Sequence, residues 1–221
     1  MKPQPLIFIQ NMDCIITGQR IFEKLNFSLE AGEKCTLAGA SGSGKSTLLK
    51  MILGFVPAPP GTLFINGVEV TAKSCWHIRQ EMAYVSQEPE IGTGPVRDFL
   101  ARPFAFSANL CHHFDQEEGE SLFETFLLPA DTWNKDLSML SGGEKQRVAL
   151  VAALLLKRKL LLLDEVASAL DTESKEAVRR YLAAQNDTAI LSVSHDTEDF
   201  TLSSRVVWME ELTGENAHAH R

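Results

Sequence analysis

Short apolar blocks separated by turn residues fill the first third of the chain, and each block predicts a strand. Residues 6–10, 13–16 and 25–29 are β-like runs, with turns signalled at Thr17-Gly18 and Ala31-Gly32. Lys34-Cys35-Thr36-Leu37-Ala38 reads as a short buried strand, and after a glycine-rich loop residues 47–53 carry apolar side chains at helical spacing until Gly54 and Pro57 stop them. Residues 62–65 and 68–70 flank Asn66-Gly67, the pair that most strongly specifies a tight hairpin, and residues 82–86 form another buried strand that ends in Gln87. From Pro95 to Ala153 the strand signal disappears, and residues 96–100 and 117–128 carry helical spacing instead. Leu160-Leu161-Leu162-Leu163, with Val166 close behind, and Ala189-Ile190-Leu191-Ser192-Val193 resume a buried parallel sheet. Between them residues 172–184 fit a crossover helix, completing a βαβ unit.

This pattern predicts one α/β domain: a core of mostly parallel sheet from residues 1–94 and 154–210, an antiparallel β layer drawn from the first third, and a helical lobe inserted at 95–153. Residues 211–221 read as a tail. The acidic end from Glu210 to Arg221 looks frayed, and its His218 and His220 belong to a solvated terminus rather than a metal site. A length of 221 residues exceeds the roughly 150 of an average domain, which suits one domain with an insertion, and no repeat of solenoid period is visible.

Composition narrows the partners. A formal net charge of -8 gives no sequence-wide field for nucleic acid or anionic lipid. Cys14, Cys35, Cys75 and Cys111 show neither C-x-x-C nor zinc-like spacing, so packed thiols in a reducing compartment are expected. The opening residues, Met1-Lys2-Pro3-Gln4-Pro5 and a brief apolar run, lack the apolar core and cleavage site of a signal peptide. Lys157-Arg158-Lys159 divides the most apolar stretch, 148–163, into pieces too short to span a bilayer, so any membrane role is borrowed from a partner.

Three constellations carry chemistry. Gly39-Ala40-Ser41-Gly42-Ser43-Gly44-Lys45-Ser46 fits G-x-x-x-x-G-K-[ST] between a strand and a helix. Glycines let the backbone wrap a polyphosphate whose charge meets bare N–H groups and the positive helix end; Lys45 would hold the β- and γ-phosphates and Ser46 would offer its hydroxyl to Mg²⁺. The flanking strand and helix argue against a glycine-rich turn with a chance Lys-Ser. Leu163-Asp164-Glu165 puts two carboxylates at a strand's C-terminal end, where open parallel sheets bind ligands, although acids capping a strand would look the same on this pair alone. Leu140-Ser141-Gly142-Gly143-Glu144-Lys145-Gln146-Arg147 contains a capping box, Ser141-x-x-Glu144, that opens an apolar helix. Its two glycines also leave that helix's N-terminal N–H groups open to an anion, a second phosphate-binding helix end in one chain.

At these residues the sequence resembles the ATP-binding subunits of ABC transporters, whose distinguishing signature is L-S-G-G-x-x-x-R. The resemblance covers nearly the whole chain in order. Residues 39–46 look like Walker A, Gln87 like the Q-loop glutamine, 140–147 like the signature and 160–164 like Walker B. Glu165 looks like the catalytic base, Ser168-Ala169-Leu170-Asp171 like the D-loop, and Ser194-His195-Asp196 like the switch-histidine region. It implies a P-loop NTPase fold and ATP with Mg²⁺ as cofactors. Lys45, Glu165 and His195 would be catalytic, with His195 sensing the γ-phosphate. Nucleotide would be held by Gly39, Ala40, Ser41, Gly42, Ser43, Gly44, Lys45, Ser46, Thr47 and Gln87, and across a head-to-tail homodimer by Ser141, Gly142, Gly143 and Asp171. Ser46, Gln87 and Asp164 would hold the metal. A separate transmembrane permease subunit would dock near Gln87, placing the chain on the cytoplasmic face of the cell membrane, with no direct nucleic-acid contact.

Two departures stand out. Where the family usually carries an aromatic for adenine stacking, this chain has Cys14-Ile15-Ile16, leaving aliphatic side chains, or Phe8 or Phe22, to meet the base. Val166-Ala167 replaces the common Pro-Thr after the glutamate, a change expected to alter packing more than chemistry. DNA-repair and chromosome-organising ATPases of the same type usually carry long coiled coils between Walker A and the signature, and none is present here. Translation-factor relatives usually have two cassettes per chain. Val96-x-Asp98-x-Leu100 before Pro103-Phe104 faintly resembles small bacterial cassettes paired with a separate permease, some assigned to metal export.

Overall fold

In the computed structural model, which describes residues 4–195, 201–202 and 205–212, two sheets meet across a shared core. The antiparallel layer is built from β1 (Ile7–Ile16), β2 (Gln19–Leu29), β4 (Leu63–Ile65) and β5 (Val68–Glu69), in the order β2-β1-β4-β5. The parallel sheet contains β3 (Lys34–Ala38), β6 (Met82–Val85), β7 (Leu160–Asp164), β8 (Ala189–Ser194) and β9 (Val206–Trp208), in the order β6-β7-β8-β3-β9.

The runs at 6–10 and 13–16 are one strand, not two. Asn11 adopts φ 44°, and the pairing of β1 with β2 shifts register between Ile9 and Met12. The extra residue lets Met12 and Cys14 face the core beside Ile7 and Ile9, although the simple two-residue alternation breaks there. Both hairpins form where turn chemistry places them, with positive φ at Thr17 and Gly18 and at Asn66 and Gly67.

β7 explains why the parallel strands read as continuous apolar runs. Leu160 and Leu162 enter the core shared with the antiparallel layer and α1 (Lys45–Ile52), while Leu161 and Leu163 enter a second core under the helices on the opposite face. Each fully buried leucine of this kind contributes about 1.5–3 kcal/mol relative to exposure. The helices after α1 are α2 (Cys75–Ile78), α3 (Val96–Ala101), α4 (Gln116–Thr125), α5 (Gly142–Leu155) and α6 (Thr172–Ala184), with short 3₁₀ turns between several of them. α6 crosses over from β7 to β8, which pair in parallel.

Two expectations change, and one strand, β9, is added. The helix read over 117–128 stops at Thr125, because Leu127 takes φ 55° and the carbonyls of Phe126 and Leu127 turn to accept from Arg147. β9 is too short to show a period of its own. Glu210, Glu211 and Leu212, read as the start of a frayed tail, continue the fold: Met209–Glu211 form a 3₁₀ turn in which Glu210 and Glu211 are exposed, Met209 and Leu212 are buried, and the Leu212 carbonyl accepts from Asn26 N–H at 3.1 Å. His218, His220 and Asp196, like the opening Met1-Lys2-Pro3, lie outside the described residues. All four cysteines are free thiols. Among the described residues no helix is long and apolar enough to cross a membrane.

Candidate functional site

Strand β3 feeds the loop 39–44, which turns into α1. Gly44 sits at φ 97°, and a Cβ there would lie 2.6 Å from the Phe22 ring and 2.8 Å from Ile21, so both backbone conformation and space demand glycine. α1 begins with neither an acidic residue in its first turn nor a side-chain cap, leaving its terminal N–H groups for an anion. Lys45, only 5% exposed, donates from Nζ to the carbonyls of Gly39 at 2.7 Å and Ala40 at 2.9 Å, and no carboxylate among the described residues ion-pairs with it. A buried ammonium held by carbonyl dipoles alone is poised for a stronger anionic partner. Ala40, Ser41 and Gly42 form the exposed rim, and Thr47 is half-buried one residue past Ser46 on α1.

The acids reach this loop through the sheet. Ser46 Oγ donates to Asp164 Oδ1 at 3.1 Å, and Tyr84 OH donates to Asp164 Oδ2 at 3.2 Å. Burial pushes the Asp164 carboxyl above its ordinary range; the Ser46 and Tyr84 hydrogen bonds pull the other way and the Glu165 charge adds to the rise. The Tyr84 phenol is pushed up to about 12, by burial first and then by Asp164.

Glu165 adopts φ 49°, a left-handed conformation that costs a non-glycine residue about 1–3 kcal/mol. It is held there by its own N–H donating to Val193 O and by its carbonyl accepting from Ser168 N–H and Oγ. The turn places its side chain where Oε2 accepts from Gln87 Nε2 at 2.8 Å and lies 3.3 Å from His195 Nδ1. Gln87 and His195, far apart in sequence, thus converge on one oxygen of the Glu165 carboxylate.

Ser141 and Asp171 form a second cluster. Ser141 Oγ accepts from Glu144 N–H, while Ser141 N–H and Oγ both donate to Glu144 Oε2 at 2.8 Å, which holds the Glu144 carboxyl below its usual range. Ser141 and Gly142 remain exposed, and a Cβ at Gly142 would meet open space. Gly143 is different: a Cβ there would lie 2.8 Å from the Ala169 carbonyl, so the glycine allows α5 to touch the 168–171 turn. Arg147 donates to Gly143 O, Phe126 O, Leu127 O and Ser174 Oγ, and Ser174 donates in turn to Asp171, the N-cap of α6. Those bonds from Ser174 hold the Asp171 carboxyl low. Among the described residues no hydrogen bond joins this cluster to the loop 39–46.

Two participants are not in the sequence-derived set. Gln146, 2% exposed, donates from Nε2 to Ser86 O at 3.1 Å and so ties α5 to the residue before Gln87. Its signal is a polar residue on the buried stripe that continues with Leu150 and Ala153. Tyr84 is the other; an aromatic in a buried strand reads as core.

Neither candidate aromatic presents a face beside the cradle. Phe22 is buried beneath Gly44, and Phe8 lies against Phe64, six residues and about 20 Å along β1 from Cys14. The hairpin that abuts Gly44 offers Ile15, 64% exposed, with Ile16 and Ile21 half-buried. A groove of about 360 Å³ opens between β6 and α5, lined by Val85, Ile91, Phe99, Pro103, Ala149 and Ala152 among others. Phe106 and Leu110, exposed, follow Pro103 in the chain.

Comparison with known proteins gives one consistent set. A family model described as "ABC transporter" matches residues 22–168. The "Probable iron export ATP-binding protein FetA" of Escherichia coli (strain K12) is 34% identical over 223 residues, covering 97% of this chain and 96% of that protein. The "Energy-coupling factor transporter ATP-binding protein EcfA1" of Oenococcus oeni is 33% identical, covering 87% of this chain and 70% of that protein. Among solved structures, cbiO1 from Clostridium perfringens, described as part of the ABC transporter complex cbiONQ, superposes with a TM-score of 0.73 at 19% identity, covering 88% of this chain and 80% of that one.

Proposed function

This chain belongs to the ABC transporter family as an ATP-binding, ATP-hydrolysing subunit that powers a membrane transporter, and we propose that it works as one half of a nucleotide-closed pair docked on a separate membrane-spanning subunit. The observation that carries the pairing is Gly142: exposed and open at the N-terminus of α5, it belongs to a cluster with no hydrogen bond, among the described residues, to the chain's own cradle. Ser141, Gly142 and Gly143 of a second copy, with its Asp171, would close over the γ-phosphate held by residues 39–46. A two-fold axis makes two such composite sites.

Within a site, Lys45 exchanges the carbonyls of Gly39 and Ala40 for β- and γ-phosphate oxygens, and the bare N–H groups of α1, with the Thr47 hydroxyl beside them, take up the remaining charge. The donor set suits Mg²⁺: a hydroxyl and a carboxylate already 3.1 Å apart, Ser46 and Asp164, are hard oxygens, and this ion commonly takes one or two carboxylates and completes its shell with phosphate and water. Bound there with nucleotide, it would neutralise charge on the β- and γ-phosphates. Gln87, which donates its amide N–H to Glu165, would offer its amide oxygen to the metal. Glu165 accepts a proton from the attacking water, and His195, fixed through Nδ1, senses the γ-phosphate.

The groove beside β6 supports docking of the membrane subunit, since its wall includes Ser86, next to Gln87, together with Phe99 and Pro103, and the exposed Phe106 follows Pro103 three residues on. That arrangement would hold the chain at the cytoplasmic face of the membrane. Phe106→Glu and Pro103→Glu should reduce copurification with a multi-span protein from solubilised membranes and leave ATP affinity unchanged. Undiminished copurification across such a series would move the docking surface elsewhere. Recovery of nucleic acid instead of a membrane protein would favour the DNA-repair class.

Base selectivity should be modest. With Ile15, Ile16 and Ile21 in place of an aromatic face, the phosphates supply most of the binding energy, and titrations should place ATP and GTP within roughly tenfold, about 1.4 kcal/mol. An ATP preference above a hundredfold would overturn this and point to a stacking residue from another element.

A further inference from the structure

We propose that Tyr84 is a positioning residue for Asp164, holding one carboxylate oxygen so that the other stays aimed at Ser46 when the metal–nucleotide complex arrives. The inference rests on the functional reading above and concerns a residue which that reading does not use. Asp164 has two oxygens, each with one hydroxyl donor: Ser46 on Oδ1 and Tyr84 on Oδ2. The two donors differ in what metal binding asks of them. Ser46 would turn a lone pair toward the cation, whereas Tyr84 is not among the residues that would hold it, Ser46, Gln87 and Asp164, and would keep donating.

Tyr84 is also better anchored. It stands on β6, which pairs in parallel with β7 at Tyr84↔Leu162, so phenol and carboxylate ride on adjacent, hydrogen-bonded strands. Its ring packs against the core shared by α1 and the antiparallel layer, the same core that holds Leu48 and Leu162. Asp164 is only 6% exposed, and a donor that remains in place through the cycle offsets the cost of burying its charge. Without it the carboxylate can swing about its last torsion and offer the metal an unfixed oxygen.

The test uses the full chain carrying Tyr84→Phe, which removes one oxygen and keeps the ring. A fluorescent, non-hydrolysable ATP analogue is titrated at increasing Mg²⁺ and again in EDTA. The Mg²⁺ concentration for half-maximal tightening should rise about tenfold, the order expected for one hydrogen bond to a charged group. The affinity in EDTA should stay near the parental value, the thermal midpoint should fall by only a few degrees, roughly the cost of one hydrogen bond in a domain of this size, and saturating Mg²⁺ should restore the ATPase rate. In an Asp164→Asn background the same change should add little, because the two side chains act as one unit. An unchanged Mg²⁺ requirement, or an equal loss of affinity in EDTA, would overturn the positioning role. If the parental protein shows no Mg²⁺-dependent tightening, the functional reading itself fails, and the proposal with it.

Discussion

Changing Glu165→Gln should slow ATP hydrolysis by about 10²- to 10⁴-fold, the usual contribution of a positioned general base, while Mg²⁺ and ATP still bind. The geometry makes the substitution clean. Glutamine matches glutamate in size, can occupy the same φ 49° turn, and still accepts from Gln87 Nε2, so the lost property is the ability to take a proton. Lys45, Ser46 and Asp164 are untouched. Because hydrolysis is what would reopen the paired sites, the variant should also accumulate as an ATP-dependent dimer, visible by size-exclusion chromatography with multi-angle scattering beside phosphate-release rates. Hydrolysis at the parental rate would remove Glu165 from the base role. An inactive variant that never dimerises would leave the chemistry in place and overturn the composite-site reading.

How this site is encoded differs from residue to residue. The cradle is legible in sequence because its constraint is local: Gly44 must be glycine for reasons its neighbours Phe22 and Ile21 supply, and Lys45 follows at fixed spacing. β3 and α6 are legible for a similar reason, being bounded by turn residues and by the N-cap Asp171. The meeting of Gln87, Glu165 and His195 is not local; the resemblance names all three, but their shared oxygen depends on β7 and β8 being parallel neighbours and on the left-handed turn at Glu165. Gln146 and Tyr84 escape altogether. Each sits at a position whose periodicity says core, and only the fold reveals that a polar atom at its tip touches Ser86 or Asp164. β1 fails for the opposite reason: one inserted residue at Asn11 breaks the two-residue rhythm while the strand continues.

Lys45→Ala should lower ATP affinity by about 10²- to 10⁴-fold, if its ammonium makes two charge-assisted bonds to phosphate oxygens at about 1.5–3 kcal/mol each. The fold should survive the change. The loop keeps its turn through Ser43 N–H donating to Ala40 O at 3.2 Å, and the carbonyls of Gly39 and Ala40 lose a donor beside an exposed rim that water can reach. The loss should also be graded by ligand. ATP and ADP carry the phosphates that Lys45 reaches, whereas AMP lacks them, so calorimetric titration should show the largest loss for ATP, a smaller one for ADP and almost none for AMP. Without tight ATP the variant has nothing to close on, and it should stay monomeric at nucleotide concentrations that dimerise Glu165→Gln. Equal losses for all three nucleotides would mean that the cradle had collapsed. Parental ATP affinity would mean that the buried ammonium serves the loop alone, with the N–H groups of α1 holding the phosphates.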